Sequence, residues 1–137
     1  MRVSFSIMPT VVAGVIERDG YLLIAQRKRT AQHALKWEFP GGKVESGETP
    51  EAALVRELEE ELGIQARVDV EMLRYEYQYT GRSPILLIFY RVVEFSGDPK
   101  NLDFEQISWA PRERLCDYDF LEGDAEFLNR FVAAADA

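Results

Sequence analysis

Apolar positions along this chain group into runs with two different periods. Val11 to Ile16 (VVAGVI) and Tyr21 to Ala25 (YLLIA) are continuous apolar stretches. Asp19-Gly20 lies between them, a dipeptide that favours a two-residue hairpin turn, so the pattern predicts two antiparallel strands. Residues 26–36 are polar and basic and read as a loop, and Trp37 to Gly42 (WEFPGG) reads as a short extended piece broken by proline and a glycine pair. Leu54, Leu58 and Leu62 then recur at helical spacing, with Val55 beside them. Thr49 supplies an N-cap, Pro50 takes the first helical position, where its missing N–H costs nothing, and Gly63 ends the helix. Val68 to Tyr79 and Ile85 to Phe95 read as two long strands around Gly81-Arg82-Ser83-Pro84. Ile107 to Ala110 predicts a short strand, and Asp124 to Ala135 a last amphipathic helix with Phe127, Leu128, Phe131 and Val132 facing inward. Strands before and after a central helix, with another helix last, predict one mixed α/β layered domain over residues 1–137.

Composition narrows the class. Hydrophobic residues at 47% suffice for a core and charged residues at 29% suit a solvated surface, so disorder is excluded. No apolar run approaches the roughly 20 residues of a membrane span, and MRVSFSIMPT lacks the apolar core and small-residue cleavage site of a leader. Cys116 is the only cysteine, which fits a reducing, cytoplasmic setting, and it reads as a packing residue. The formal net charge of −8 provides no basic footprint for nucleic acid, so no nucleic-acid partner is expected. If the substrate is a polyanion, something other than the overall field must attract it, and a bound divalent cation is the obvious candidate.

Arg56-Glu57-Leu58-Glu59-Glu60-Glu61 packs four carboxylates into five residues, 57 to 61. On a helix, Glu57, Glu60 and Glu61 stand at i, i+3 and i+4 and share a face. Ala53, one turn earlier, leaves room above them, and Glu59 points elsewhere, to solvent. Two carboxylates about 6 Å apart repel by roughly 2 to 3 kcal/mol at an effective dielectric near 20. Exposed ion pairs to Arg56 return only about 0.2 to 0.5 kcal/mol. A Mg²⁺ or Mn²⁺ ion can balance the cluster, because hard cations select carboxylate oxygens. Gly41-Gly42 places side-chain-free backbone a short loop before the acids, able to approach a ligand or offer a carbonyl.

From Gly42 to Ile64 the chain reads GKVESGETPEAALVRELEEELGI. This resembles the Nudix box in full: Gly42, Glu48, Arg56, Glu57, Glu60, Glu61 and Gly63 fall on its fixed letters, with Leu58 and Ile64 at its aliphatic positions. The resemblance implies a Nudix fold, an α/β/α sandwich around a mixed sheet. It implies that Glu57, Glu60 and Glu61 bind one to three Mg²⁺ or Mn²⁺ ions, helped by a carbonyl of Gly41 or Gly42. Arg56 would orient a helix carboxylate and Glu48 brace the loop. The reaction implied is attack of water on a phosphorus of a nucleoside diphosphate linked to another group, with Glu57 as general base or, alternatively, a later-loop carboxylate such as Glu105. Glu105 reads equally as a solvated strand-end residue.

VVAGVIERDGYLLIAQR together with WEFPGGKVE is similar to the MutT branch, which hydrolyses nucleoside triphosphates to monophosphate and pyrophosphate. By that likeness Arg27 lies near the nucleotide, Arg82 on the rim of the base pocket, and Asp124 at the base edge. The arginines read equally as surface residues, and Asp124 as the cap of the last helix. An ionised Asp124 only accepts hydrogen bonds, which suits a donor edge and is compatible with 8-oxo-dGTP, dGTP, CTP or dCTP. His33, the only histidine, stands in a polar loop without companions for a zinc site. A hydrolase of ADP-ribose or another nucleoside diphosphate derivative, or of dinucleoside polyphosphates, is the enzymatic alternative, but the proline that the ADP-ribose branch shows some fifteen residues beyond the box is replaced by Gln78-Tyr79-Thr80. A non-catalytic nucleotide-binding module is the other, and it usually forfeits box acids, all of which stand here. A small-molecule nucleotide is the partner implied, and monomer and homodimer both stay open.

Overall fold

The computed structural model describes residues 8–135; most of the stretch on which the leader expectation rests lies outside them. β1 (Thr10–Arg18) and β2 (Tyr21–Gln26) form the expected hairpin. Asp19 and Gly20 have φ of 53° and 83°, the two positive values that a type I′ turn requires. β3 (Trp37–Glu38) and β4 (Gly41–Lys43) divide the short extended piece at Phe39-Pro40. α1 covers Pro50–Leu62, with Thr49 Oγ1 accepting from the Ala52 N–H at 3.1 Å and the Gly63 N–H closing on Glu59 O at 2.9 Å.

β5 (Gln65–Tyr77) and β6 (Ile85–Ser96) are the two long strands, and β7 (Gln106–Pro111) the short one. β5 starts three residues earlier than the apolar pattern indicates. Gln65, Ala66 and Arg67 pair with Ser96, Phe95 and Glu94 through backbone groups, which no side-chain pattern reports. Two 3-10 turns, Arg112–Asp117 and Glu122–Asp124, precede α2 (Ala125–Ala135), so Asp124 ends a turn rather than opening the helix.

Seven strands form one mixed sheet, ordered β3-β2-β1-β6-β5, with β4 on β1 and β7 on β2. β1 and β6 run parallel, Thr10 opposite Leu86 through Ile16 opposite Val92. Strands buried on both faces need apolar residues at successive positions, which explains the continuous runs of β1, β2 and early β6. Val12, Ile16, Leu23, Ile88 and Tyr90 pack with Leu54, Leu58 and Leu62 of α1. The alternate residues Ala13, Val15, Leu22, Leu87 and Phe89 pack with Phe127, Leu128 and Phe131 of α2. A helix on each face of a mixed sheet is the expected α/β/α sandwich. No helix among the described residues is long and apolar enough to cross a membrane.

Candidate active site

The acids of α1 share a side of the helix but not an environment. Glu61 is buried at 8% exposure among the leucines, while the side chain of Glu57 is 17% exposed and that of Glu60 59%. Ala53 does not open space above them: it is fully buried and belongs to the core under the sheet. The line Ala53, Glu57, Glu61 is therefore rotated toward the sheet, and Glu60 toward solvent. Glu59 is exposed, as expected.

Arg56 does more than its sequence position indicates. Its Nε donates to Glu48 at 2.7 Å and Nη2 to the other oxygen of Glu48 at 3.0 Å, a fork that only a guanidinium supplies. Nη1 reaches Glu57 at 3.0 Å and Glu60 at 3.2 Å, with Glu45 at 3.7 Å, and Nη2 also donates to Lys43 O. The hydrogen bonds from Arg56 hold Glu48 below the usual carboxylate range. One arginine thus ties the loop before α1 to the helix acids, so its part in balancing them is larger than isolated exposed pairs imply.

The glycine pair comes close to these acids because β4 pairs with β1, Gly41 opposite Ala13 and Gly42 opposite Val12. A Cβ on Gly41 would enter the Val12 carbonyl, and one on Gly42 would lie 2.5 Å from the carboxyl carbon of Glu57. Burial raises Glu57 above its ordinary value, with Arg56 opposing. Glu61 is pushed up to about 9, by burial first and then by Glu57, Glu38 and Asp103, against which a Gly41 backbone hydrogen bond is weak. Its Oε1 is buried without a hydrogen-bond partner. An orphaned buried carboxylate oxygen costs free energy, and a hard divalent cation is the partner that its chemistry fits. Gly41, Gly42, Glu57 and Glu61 therefore suit such an ion. Glu60 stands apart, and no three acids among the described residues are gathered closely enough to form a ready-made cage.

Of these groups, Glu61, Gly41 and Gly42 line a cavity of about 1070 Å³, whose wall also includes Arg27, Arg82 and Asp124. Arg27 is not a free cation: its Nε donates to Gln32 O at 2.7 Å and its Nη1 lies 3.3 Å from both oxygens of Glu38. Arg82 is exposed on the rim, where Nη1 lies 3.0 Å from the Gln32 side-chain amide, which accepts once its oxygen faces the guanidinium. Asp124 is 5% exposed and accepts from the Phe39 N–H at 3.4 Å. The Phe127 N–H in the first turn of α2 instead donates to Tyr75 Oη. Burial, and then Glu38, push Asp124 up to about 8. That direction favours the protonated carboxyl, which can donate as well as accept, where the ionised form only accepts.

Glu105 is engaged outside the cavity wall. Its carboxylate is tied to Arg29, through Nη2 at 3.0 Å and the backbone N–H at 3.3 Å, and those bonds hold it below its ordinary value. The cavity wall near it is formed by Asp103 and Phe104 instead. The side chain of Asn101 bonds both the N–H and the C=O of Phe104 and shapes that loop. Asp103 and Glu38, the latter pushed up to about 7 by burial against the opposing Arg27, are acids of the site that sequence reasoning missed. Glu38 stood within the WEFPGG piece, and its place beside Arg27 arises from β2–β3 pairing. Tyr79 was missed as well, although the Tyr-Glu-Tyr-Gln-Tyr alternation from Tyr75 was a legible signal. His33 is an exposed loop residue on the cavity wall, its ring 4.5 Å from that of Tyr79. Cys116 is exposed and not a packing residue, because the 3-10 turn buries Leu115 and turns its neighbour outward.

A carboxylate helix packed against a glycine-pair strand at the edge of a cavity, inside an α/β/α sandwich, defines the Nudix class of architecture. The NUDIX domain model matches residues 7–131, and the chain belongs to that family. The CTP pyrophosphohydrolase of Escherichia coli (strain K12) is 40% identical over 126 residues, 92% of this chain and 93% of that protein. The 8-oxo-dGTP diphosphatase of Haemophilus influenzae is 37% identical over 124 residues, 89% of this chain and 90% of that one. Among solved structures, the E. coli ORF135 protein matches with a TM-score of 0.82 at 40% identity, over 92% of this chain and 89% of that chain. The MutT NUDIX hydrolase from Burkholderia pseudomallei matches with 0.78 at 26% identity, over 90% and 98%.

Proposed function

We propose that this chain hydrolyses a nucleoside triphosphate to the monophosphate and pyrophosphate, with Mg²⁺ or Mn²⁺ as cofactor. One observation carries the metal-assisted reading: Glu61 is buried on the cavity wall with Oε1 unpartnered, beside the Gly41-Gly42 backbone. Glu57 and Glu61, with a carbonyl of Gly41 or Gly42, would hold the ion, and Glu60 would join them by turning inward from its exposed position. The bound ion supplies charge neutralisation of the phosphates and acidification of water. Glu57, already above its ordinary value, accepts the proton of the attacking water. Arg56 holds Glu57 and Glu60 in place and Glu48 braces the loop, as the bonds of its fork support.

Arg27 and Arg82, which both line the cavity, face the nucleotide, and Asp124 meets the base edge. Relatives named for CTP and for 8-oxo-dGTP support a triphosphate substrate, and CTP, dCTP, dGTP and 8-oxo-dGTP are the candidates. The test is release from a panel of these nucleotides and ADP-ribose with Mg²⁺, comparing the native protein with Glu60→Gln. Pyrophosphate is expected from at least one triphosphate and is lost in the variant. Turnover of ADP-ribose alone overturns the substrate class, and full activity of Glu60→Gln overturns the assignment of that acid to the ion.

A further inference from the structure

Tyr75, Tyr77 and Tyr79 alternate along β5 and the residues just beyond it, so the two-residue period of extended chain puts their side chains on one face. That face meets the turn Glu122–Asp124. Tyr79 Oη accepts from the Gly123 N–H at 3.0 Å, and Tyr75 Oη donates to the Gly123 carbonyl at 2.5 Å. Tyr77 reaches the Glu122 carboxylate at 3.2 Å. Gly123 has no room for a side chain, since a Cβ there would lie 2.5 Å from the Tyr79 hydroxyl. Two hydroxyls thus hold both backbone polar groups of the residue from which Asp124 is hung. Among the described residues, Asp124's own side chain is bonded only by the long 3.4 Å contact from Phe39. Its place in the cavity is therefore set from the backbone side.

We propose that Tyr75 and Tyr79 are positioning residues for base selection, clamping Gly123 so that the Asp124 carboxyl meets the base at one fixed angle. This rests on the assignment of Asp124 to the base edge. Hydrogen-bond readout weakens steeply with misalignment, so a turn free to tilt blurs the difference between bases more than it slows reaction at the phosphates. The ring of Tyr79 also forms cavity wall under His33, so the clamp is continuous with the surface the nucleotide faces.

The experiment measures kcat and KM for CTP, dCTP, dGTP and 8-oxo-dGTP in the native protein, Tyr75→Phe, Tyr79→Phe and Gly123→Ala. Each Phe variant removes one hydroxyl and keeps the ring. The expected result is that the ratio of kcat/KM between the best and worst nucleotide falls at least about threefold in each, mainly through KM of the best, in line with the net worth of one hydrogen bond. In an Asp124→Ala background the same Tyr79→Phe change leaves the ratio unaltered, because the clamp acts through that carboxyl. A ratio preserved within threefold in the folded variants, or an equal fall in the Asp124→Ala background, overturns the clamp alone. A native protein that hydrolyses none of the triphosphates overturns the proposed function, and the clamp with it. Melting curves identify any variant that fails to fold, and the others then decide.

Discussion

Replacing Asp124 with Asn tests whether the cavity stores unfavourable carboxyl chemistry for the sake of binding. Asp124 is 5% exposed and accepts one long bond from the Phe39 N–H. Burial, with Glu38 adding to it and Arg27 and the Phe39 N–H opposing, moves it from an ordinary 3.8 to about 8. Because the folded value is the higher one, the folded chain keeps its proton where the unfolded chain has lost it. Stability is then full below pH 3.8 and falls as pH rises toward 8. At pH 7 the ideal penalty is about 4 kcal/mol, and relaxation of an open cavity wall reduces it to about 2 kcal/mol. Asn keeps the shape and the acceptor for Phe39 and has no proton to lose. Melting temperatures of chelator-treated protein are measured from pH 4 to pH 9 for both forms. Asp124→Asn is expected to melt about 6 to 10 °C higher at pH 7 to 8, with the gap closing toward pH 4. Glu38 and Glu61 also titrate in this range, so the difference between the two curves is the quantity that reports Asp124, together with its coupling to Glu38. Parallel curves, or a lower melting temperature for Asn at pH 8, would refute the reasoning.

Two further substitutions probe the rest of the site. Gly42→Ala drives a methyl group against the Glu57 carboxylate, and is expected to cost about 1 to 3 kcal/mol in denaturant unfolding and to remove most Mg²⁺-dependent turnover. Unfolding and turnover equal to native would show that the close approach is not needed. Glu105→Gln breaks only the tie to Arg29 and should leave turnover within about threefold of native. Asp103→Asn, on the cavity wall, should lower it more, and the reverse order in steady-state kinetics would restore Glu105 as the later-loop acid.

The period of the apolar residues located α1 and its caps to the residue, because Thr49, Pro50 and Gly63 act through local backbone groups that need no distant partner. The hairpin at Asp19-Gly20 was legible for the same reason. The spacing of the box acids likewise placed Glu57, Glu60 and Glu61 on one side of a helix. What spacing does not contain is depth. Whether an acid on that side is solvated like Glu60 or orphaned like Glu61 depends on the angle at which the helix lies on the sheet, and the leucine contacts with β1, β2 and β6 set that angle.

The substrate side of the cavity was the part that local patterns could not assemble. Arg27 meets Glu38 only because β2 pairs with β3, and Asp124 arrives beside Phe39 because the segment before it pairs with Trp37, Leu121 N–H to Trp37 O at 2.9 Å. Asp103 displaces Glu105 from the wall through a loop bonded to Asn101, two residues that carry no periodic signal. The sequence alone thus determined the fold class and the helix that carries the box acids, since both follow from short-range backbone rules and side-chain period. Tertiary structure decided which acids are buried, which cations are already spent and where Asp124 stands, because those are properties of residues as many as 85 positions apart brought within hydrogen-bonding distance.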